Sequence, residues 1–192
     1  MDYSAARAAL ASDTVRAGFD VVGLDLKPQP RYPLPYSDLA ERNGNADEWP
    51  RLIDPVRDML IRSGLPYVIE NVDGAPLRDP VVLCGTMFEG LRVLRHRLFE
   101  TNFPILTPPH GTHPKCHTMD YRKSHYRKTD DMRDFVSVNG GGNCSVAAAR
   151  DAMGIGWMNK NELNEAIPPI YTQFIGEQLI AQLRACDAAK SA

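Results

Sequence analysis

Between Trp49 and Ser63 the apolar residues Leu52, Ile53, Val56, Met59 and Leu60 recur at intervals of one to four, which is the signature of a helix with one apolar face. Gly64 and Pro66 end it. The stretch "LPYVIENVDGAPL", residues 65–77, follows with Tyr67, Val68 and Ile69 as a short buried strand that closes on Glu70 and Asn71. Helix, tight turn and strand in that order predict half of a βαβ crossover in a parallel sheet. Two more strands are expected at Val81 to Cys84 and at Arg97 to Thr101, inside "PVVLCGTMF" and "RHRLFETNF". Upstream, an alanine-rich helix from about Ser4 to Ala17 is stopped by Gly18, and the β-rich run "FDVVGLDL" contains Asp25. The next segment, "KPQPRYPLPYSD", holds four prolines in twelve residues and can only be a connector. Residues 108–143 are polar and poor in aliphatic side chains, so they read as extended loop ending in the glycine run "VNGGGN". Helices are expected at Val146 to Met153, at Lys160 to Ala166, and from Pro168-Pro169 onward, where Tyr171, Phe174, Ile175, Leu179 and Leu183 share a face.

Composition narrows the class. With 192 residues the chain suits one domain with a real core, and 43% hydrophobic and 24% charged residues are ordinary for a globular protein. No apolar run approaches the roughly 20 residues of a membrane helix, and the first twelve residues lack the apolar core of a signal peptide. The four cysteines form no CxxC pair, as expected of a reducing compartment, so a soluble cytoplasmic protein is predicted. A net charge of −2 gives no general attraction to nucleic acid, but six Lys/Arg against three Asp lie between His110 and Arg133. Tyr121, His125 and Tyr126 interleave with Arg122, Lys123, Arg127 and Lys128, which suits both phosphate contact and base stacking. A solvated basic loop fits the same pattern. "HGTHPKCH" offers His110, His113, Cys116 and His117 as ligand types, yet adjacent Cys116 and His117 rarely share one tetrahedral ion, and no metal is expected. Taken alone, Glu70 beside Asn71 reads as a turn-capping carboxylate, Arg95 and Arg97 as solvated arginines on an edge strand, and Asp25 as a turn former.

Several segments together resemble a known family, the DNA cytosine methyltransferases that act at ring carbon 5, above all its short phage and actinobacterial members. They are "AGFDVVGLDLKPQPRYP", "YSDLAERNGN", "RLIDPVRDMLIRSGLPYVIENVDGAPLRDPVVLCGTMF", "RHRLFETNFPI" and "AMGIGWMNKNELNEAIPPIYTQFIG", well over half of the chain. The resemblance implies an α/β fold with a reduced Rossmann-like methyltransferase sheet, flanking helices, an inserted recognition loop and a C-terminal helical segment. It divides the chain into a partial core over residues 1–107, a target-recognition-like region over 108–145 and C-terminal helices over 146–186. It implies S-adenosylmethionine as cofactor, with Asp25 on its ribose hydroxyls, and double-stranded DNA as partner. Glu70 would meet ring nitrogen 3 of a cytosine flipped out of the duplex, Arg95 and Arg97 would face the base and its backbone, and Asn71 would shape the turn. Arg122, Lys123, Arg127 and Lys128 would lie on the DNA.

Two family features are not found. "MDYSAARAAL" stands where the family has a glycine-rich cofactor turn, and "YPLPYSDLAERN" runs across the place of the Pro-Cys loop that carries the nucleophile. No cysteine follows a proline; Cys84 sits in an apolar strand, Cys116 and Cys144 in the loop region, and Cys186 in the tail. The expectation is a methyltransferase-like protein defective on its own. The alternatives are a non-catalytic DNA-binding relative and a protein-interaction module that keeps the sheet. An incomplete sheet would leave an edge open, so either a collapsed, smaller sheet or a homodimer that hides the edge is expected.

Overall fold

The computed structural model describes residues 52–113, 135–138 and 144–191. They fall into two compact units. Residues 52–83 and 96–107 form a sheet unit, and the remaining described residues, from 84–95 and from 108 onward, form a helical unit. The expected N-terminal helix, the strand with Asp25 and the proline-rich connector lie outside the described residues, as do the glycine run and most of the basic loop.

The sheet unit opens with α1, Ile53–Ser63, which ends on Gly64 in the left-handed conformation (φ 67°) that glycine adopts without strain. Its buried positions are Ile53 and Arg57, with Val56 and Leu60 half-buried between them, an i, i+3, i+4, i+7 stripe. Met59, expected on that face, is exposed, because Arg57 takes the core-facing place one position out of the apolar pattern. Three strands follow: β1, Val68–Asn71; β2, Val81–Leu83; and β3, Arg97–Thr101. They make a three-stranded sheet in the order β1-β3-β2. The parallel pairing expected from helix, turn and strand is not what the described residues form: β3 runs antiparallel to both neighbours. β1 and β2 therefore point the same way, with β3 inserted between them, and among the described residues β1 is an edge strand.

Register decides the chemistry of the two faces. Ile69 lies opposite Glu100 and Glu70 opposite Phe99, so successive residues alternate sides. On one side Glu100 is buried and takes two hydrogen bonds from Arg57, from Nε at 2.6 Å and from Nη2 at 2.8 Å. Arg57 also donates to the Pro76 carbonyl at 2.8 Å and pairs with exposed Asp54. The Arg78 N–H donates to Glu100 at 2.8 Å. Each charge is thus buried with its hydrogen-bonding capacity used, the condition under which a buried ion pair is tolerated.

In the helical unit a short 3-10 turn, Gly85–Met87, leads to Phe88, whose ring lies 5.3 Å from Tyr171 and 5.4 Å from Phe174. Gly85 is a required glycine, since an added Cβ would lie 2.0 Å from the Val93 carbonyl oxygen. Val93 forms an isolated parallel bridge with Val136. α2, Val146–Met153, is capped by Ser145, whose Oγ accepts from Ala148 N at 3.1 Å. α3, Lys160–Glu165, starts with a capping box between Asn159 and Glu162. α4, Pro169–Lys190, carries proline in its first turn, as expected, and buries Tyr171, Ile175 and Gly176. Leu183 and the residues after it are exposed, so the apolar face expected along this helix is used only in its first half. Val93, Val138, Ala149, Ala152, Met153, Ile155, Met158, Leu163 and Ala166 form the core of this unit. No helix among the described residues is long and apolar enough to cross a membrane.

Leaving one member of the Arg57–Glu100 pair alone should destabilise the fold strongly. Arg57→Ala or Glu100→Ala is expected to lower unfolding free energy by about 3–5 kcal/mol, read from urea titrations followed by circular dichroism. Asp54→Ala, which removes an exposed partner, should change it by less than about 1 kcal/mol. Burial pushes the Glu100 carboxyl up, but hydrogen bonds from Arg57 and from the Arg78 N–H, with the two guanidinium charges, outweigh it and hold the group below its ordinary value. Its contribution is therefore complete above the unfolded glutamate value of about 4.3 and is lost as pH falls through the folded one. Acidification below about pH 4.3 should thus destabilise the wild type more steeply than Glu100→Gln, in which this carboxyl is gone.

Candidate functional site

Glu70 and Arg97 come together because of the ladder that joins β1 to β3. Glu70 stands opposite Phe99, and Arg97 lies two residues before Phe99 on the same face, the diagonal position that long side chains can span. Arg97 Nε donates to Glu70 Oε1 at 2.9 Å. The guanidinium is 16% exposed and the carboxylate 36%, so the pair is open to solvent on the carboxylate side. Antiparallel pairing puts the first residue of β3 beside the last residues of β1, and the acid and the base therefore share one rim of the sheet. Asn71 ends the strand and turns the chain, its Oδ1 accepting from Val72 N at 2.8 Å. Paired in this way, Arg97 fixes the orientation of the Glu70 carboxylate.

Arg95 does something different. The strand begins at Arg97, so the alternation that would have aimed both guanidiniums the same way does not reach Arg95. Arg95 belongs to the helical unit, where it is buried and donates from Nη1 to the Val138 carbonyl at 2.5 Å and from Nη2 to the Asn164 carbonyl at 2.6 Å. Its own carbonyl accepts from the buried Tyr171 hydroxyl at 2.7 Å. A five-donor planar fork suits such bridging of carbonyls from separate segments.

Asp25, Arg122, Lys123, Arg127 and Lys128 lie outside the described residues, as does Cys116. Cys84 is buried just past β2 rather than within it, Cys144 is half-buried against the helical core, and Cys186 is exposed on α4; none is in a disulfide. Sequence reasoning missed one neighbourhood. Cys84 Sγ lies 3.4 Å from His113 Nε2, which lies 3.0 Å from His110 Nε2. The two histidines were legible as ligand types, but their thiol neighbour stands far upstream behind an apolar strand, where no spacing rule looks.

The two arginines separate experimentally. Arg95→Met leaves two carbonyls without their donors and is expected to lower unfolding free energy by at least about 2 kcal/mol. Arg97→Met removes a partly exposed ion pair and an exposed hydrogen bond from Nη1 to the His96 carbonyl, and should change it by no more than about 1 kcal/mol, read in the same urea titrations. No family model, curated protein or solved structure matches this chain.

Proposed function

We propose that this chain is a DNA cytosine-5 methyltransferase-like protein that binds duplex DNA and, by itself, does not turn over. Glu70 and Arg97 are the surviving part of the pocket for a flipped cytosine. The single observation that carries the reading is the 2.9 Å pair between Arg97 and Glu70 at the end of β1. The carboxyl ends of strands are where open α/β sheets bind ligands. A carboxylate held there by a guanidinium would accept from the exocyclic amine of a cytosine, and from ring nitrogen 3 once that nitrogen carries a proton. β1 follows a helix, as the proposed ancestry requires, although both described strand pairings are antiparallel. β1 also has an edge that no described strand occupies.

In the reaction that the resemblance implies, a thiolate adds at cytosine carbon 6 and a glutamate on ring nitrogen 3 takes up the redistributed charge. S-adenosylmethionine, where bound, would supply the methyl group for carbon 5, and a base would have to take the carbon-5 proton before the thiolate could leave. Glu70 fits the second role and Arg97 holds it in place. Asp25, the residue assigned to the cofactor by resemblance, lies outside the described residues, and no methyl transfer is assigned to this chain alone. The place of the nucleophile is filled by "YPLPYSDLAERN", which has no cysteine. Without addition at carbon 6, carbon 5 is not activated, and loss of a covalent nucleophile lowers rates by several orders of magnitude.

The test is binding and trapping on one duplex. Mobility shifts should show affinity that falls steeply with salt. Replacing Arg122, Lys123, Arg127 and Lys128 with Ala should flatten the slope of log affinity against log salt by about 3–4. Glu70→Ala and Arg97→Ala should leave that slope intact while abolishing the fluorescence rise of a 2-aminopurine placed at the target position. Duplex containing 5-fluorocytosine should form no covalent adduct. A salt-insensitive or absent shift overturns DNA binding, and an adduct on any cysteine overturns the claim of inactivity.

A further inference from the structure

The helical unit holds a second cluster that the DNA reading does not use. One ligand atom from each of Cys84, His110 and His113 lies within 4.8 Å of those of the other two. We propose that these three residues form a zinc site, with the fourth position left to water or a further side chain. Zinc takes thiolate and imidazole donors at about 2.3 and 2.0–2.1 Å. In a tetrahedron those lengths set sulfur–nitrogen and nitrogen–nitrogen separations of about 3.6 and 3.3 Å. In the structure 3.4 Å separates Cys84 Sγ from His113 Nε2 and 3.0 Å separates the two Nε2 atoms, a few tenths of an ångström from two edges of a zinc tetrahedron.

Chemistry and local structure agree with the distances. A soft thiolate with two imidazoles selects zinc over magnesium or calcium, which take oxygen donors. The thiol is buried whereas both histidines are exposed, so an ion can enter from solvent and the histidine rings can adjust around it. Cys84 is held from behind: its N–H donates to the Met87 sulfur at 3.2 Å, and Gly85 lies flush against the Val93 carbonyl, where no side chain fits. The donor furthest along the chain from the others is thus the one fixed by the fold. His110 and His113 are spaced i, i+3 in the segment that leads toward the basic loop, so a bound ion would tie that segment to the turn after β2. Metal binding would add stability, because the ion holds a set of donors that the unfolded chain does not assemble.

Cobalt(II) added to the full-length, metal-stripped protein reads the site directly. One equivalent should bind with the near-ultraviolet charge-transfer band of a thiolate ligand and the strong visible bands of a four-coordinate ion, and zinc should displace it. His110→Ala and His113→Ala, at exposed positions, should each stay folded by circular dichroism. Each should weaken zinc binding by more than the roughly 10–100-fold that loss of a supporting partner produces. Cys84→Ser should remove the thiolate band while visible bands of weakly bound cobalt remain at high metal concentration. Folded wild type that gives no thiolate band at one equivalent overturns the proposal. So does a band that survives in Cys84→Ser, or zinc affinity unchanged in both histidine variants. None of these outcomes depends on whether the chain binds DNA.

Discussion

A guanidinium and a carboxylate buried together in the sheet unit set the terms for everything around them. Arg57 on α1 and Glu100 on the central strand are both almost fully removed from water, and each would be costly to bury alone. Arg57 therefore has to face the sheet, which fixes the rotation of α1 about its own axis and turns Met59 outward. The same pair gathers the chain between β1 and β2, through the Pro76 carbonyl and the Arg78 N–H. A one-residue slip of β3 would move Glu100 to the opposite face and strand Arg57, so the ion pair specifies register as well as contributing to stability.

That register is also what creates the candidate site. With Glu100 committed to one face, Phe99 and Arg97 are committed to the other, and Glu70 meets Arg97 along the diagonal. The buried charge pair and the half-open one are thus consequences of a single strand pairing, on opposite sides of the same three strands. Their energetics differ for one reason, exposure. Loss of a partner in the buried pair leaves a charge without solvent, whereas a member of the rim pair left alone can be rehydrated. Arg95 and Arg97, only two residues apart, show the same division. One is consumed in bridging backbone carbonyls inside the helical unit, and the other stands at a rim where a ligand could reach it.

Local elements were legible in the sequence wherever the signal is itself local. The bounds of α2 and β3 coincide with those expected, α1 ends at Gly64, and α4 begins at the paired prolines, because capping, turn chemistry and periodicity act over a few residues. The acid closing β1 could be singled out for the same reason. What the sequence by itself determined, then, was the identity of the pieces. The strand it read as buried is, among the described residues, an edge strand in which only Ile69 is buried, so Glu70 falls at an exposed position of the alternation.

Only the tertiary structure decided how those pieces meet. The antiparallel place of β3 between β1 and β2, the burial of Arg57 against a glutamate 43 residues away, and the meeting of Cys84 with His110 and His113 all join residues far apart in the chain. Pairing of that kind leaves no periodic trace. An arginine on a helix reads as solvent-facing until its partner is known, and a cysteine behind an apolar strand reads as packing until two imidazoles are seen beside it. Distance in space, which sets both Coulomb energy and ligand geometry, is the quantity a linear pattern does not carry.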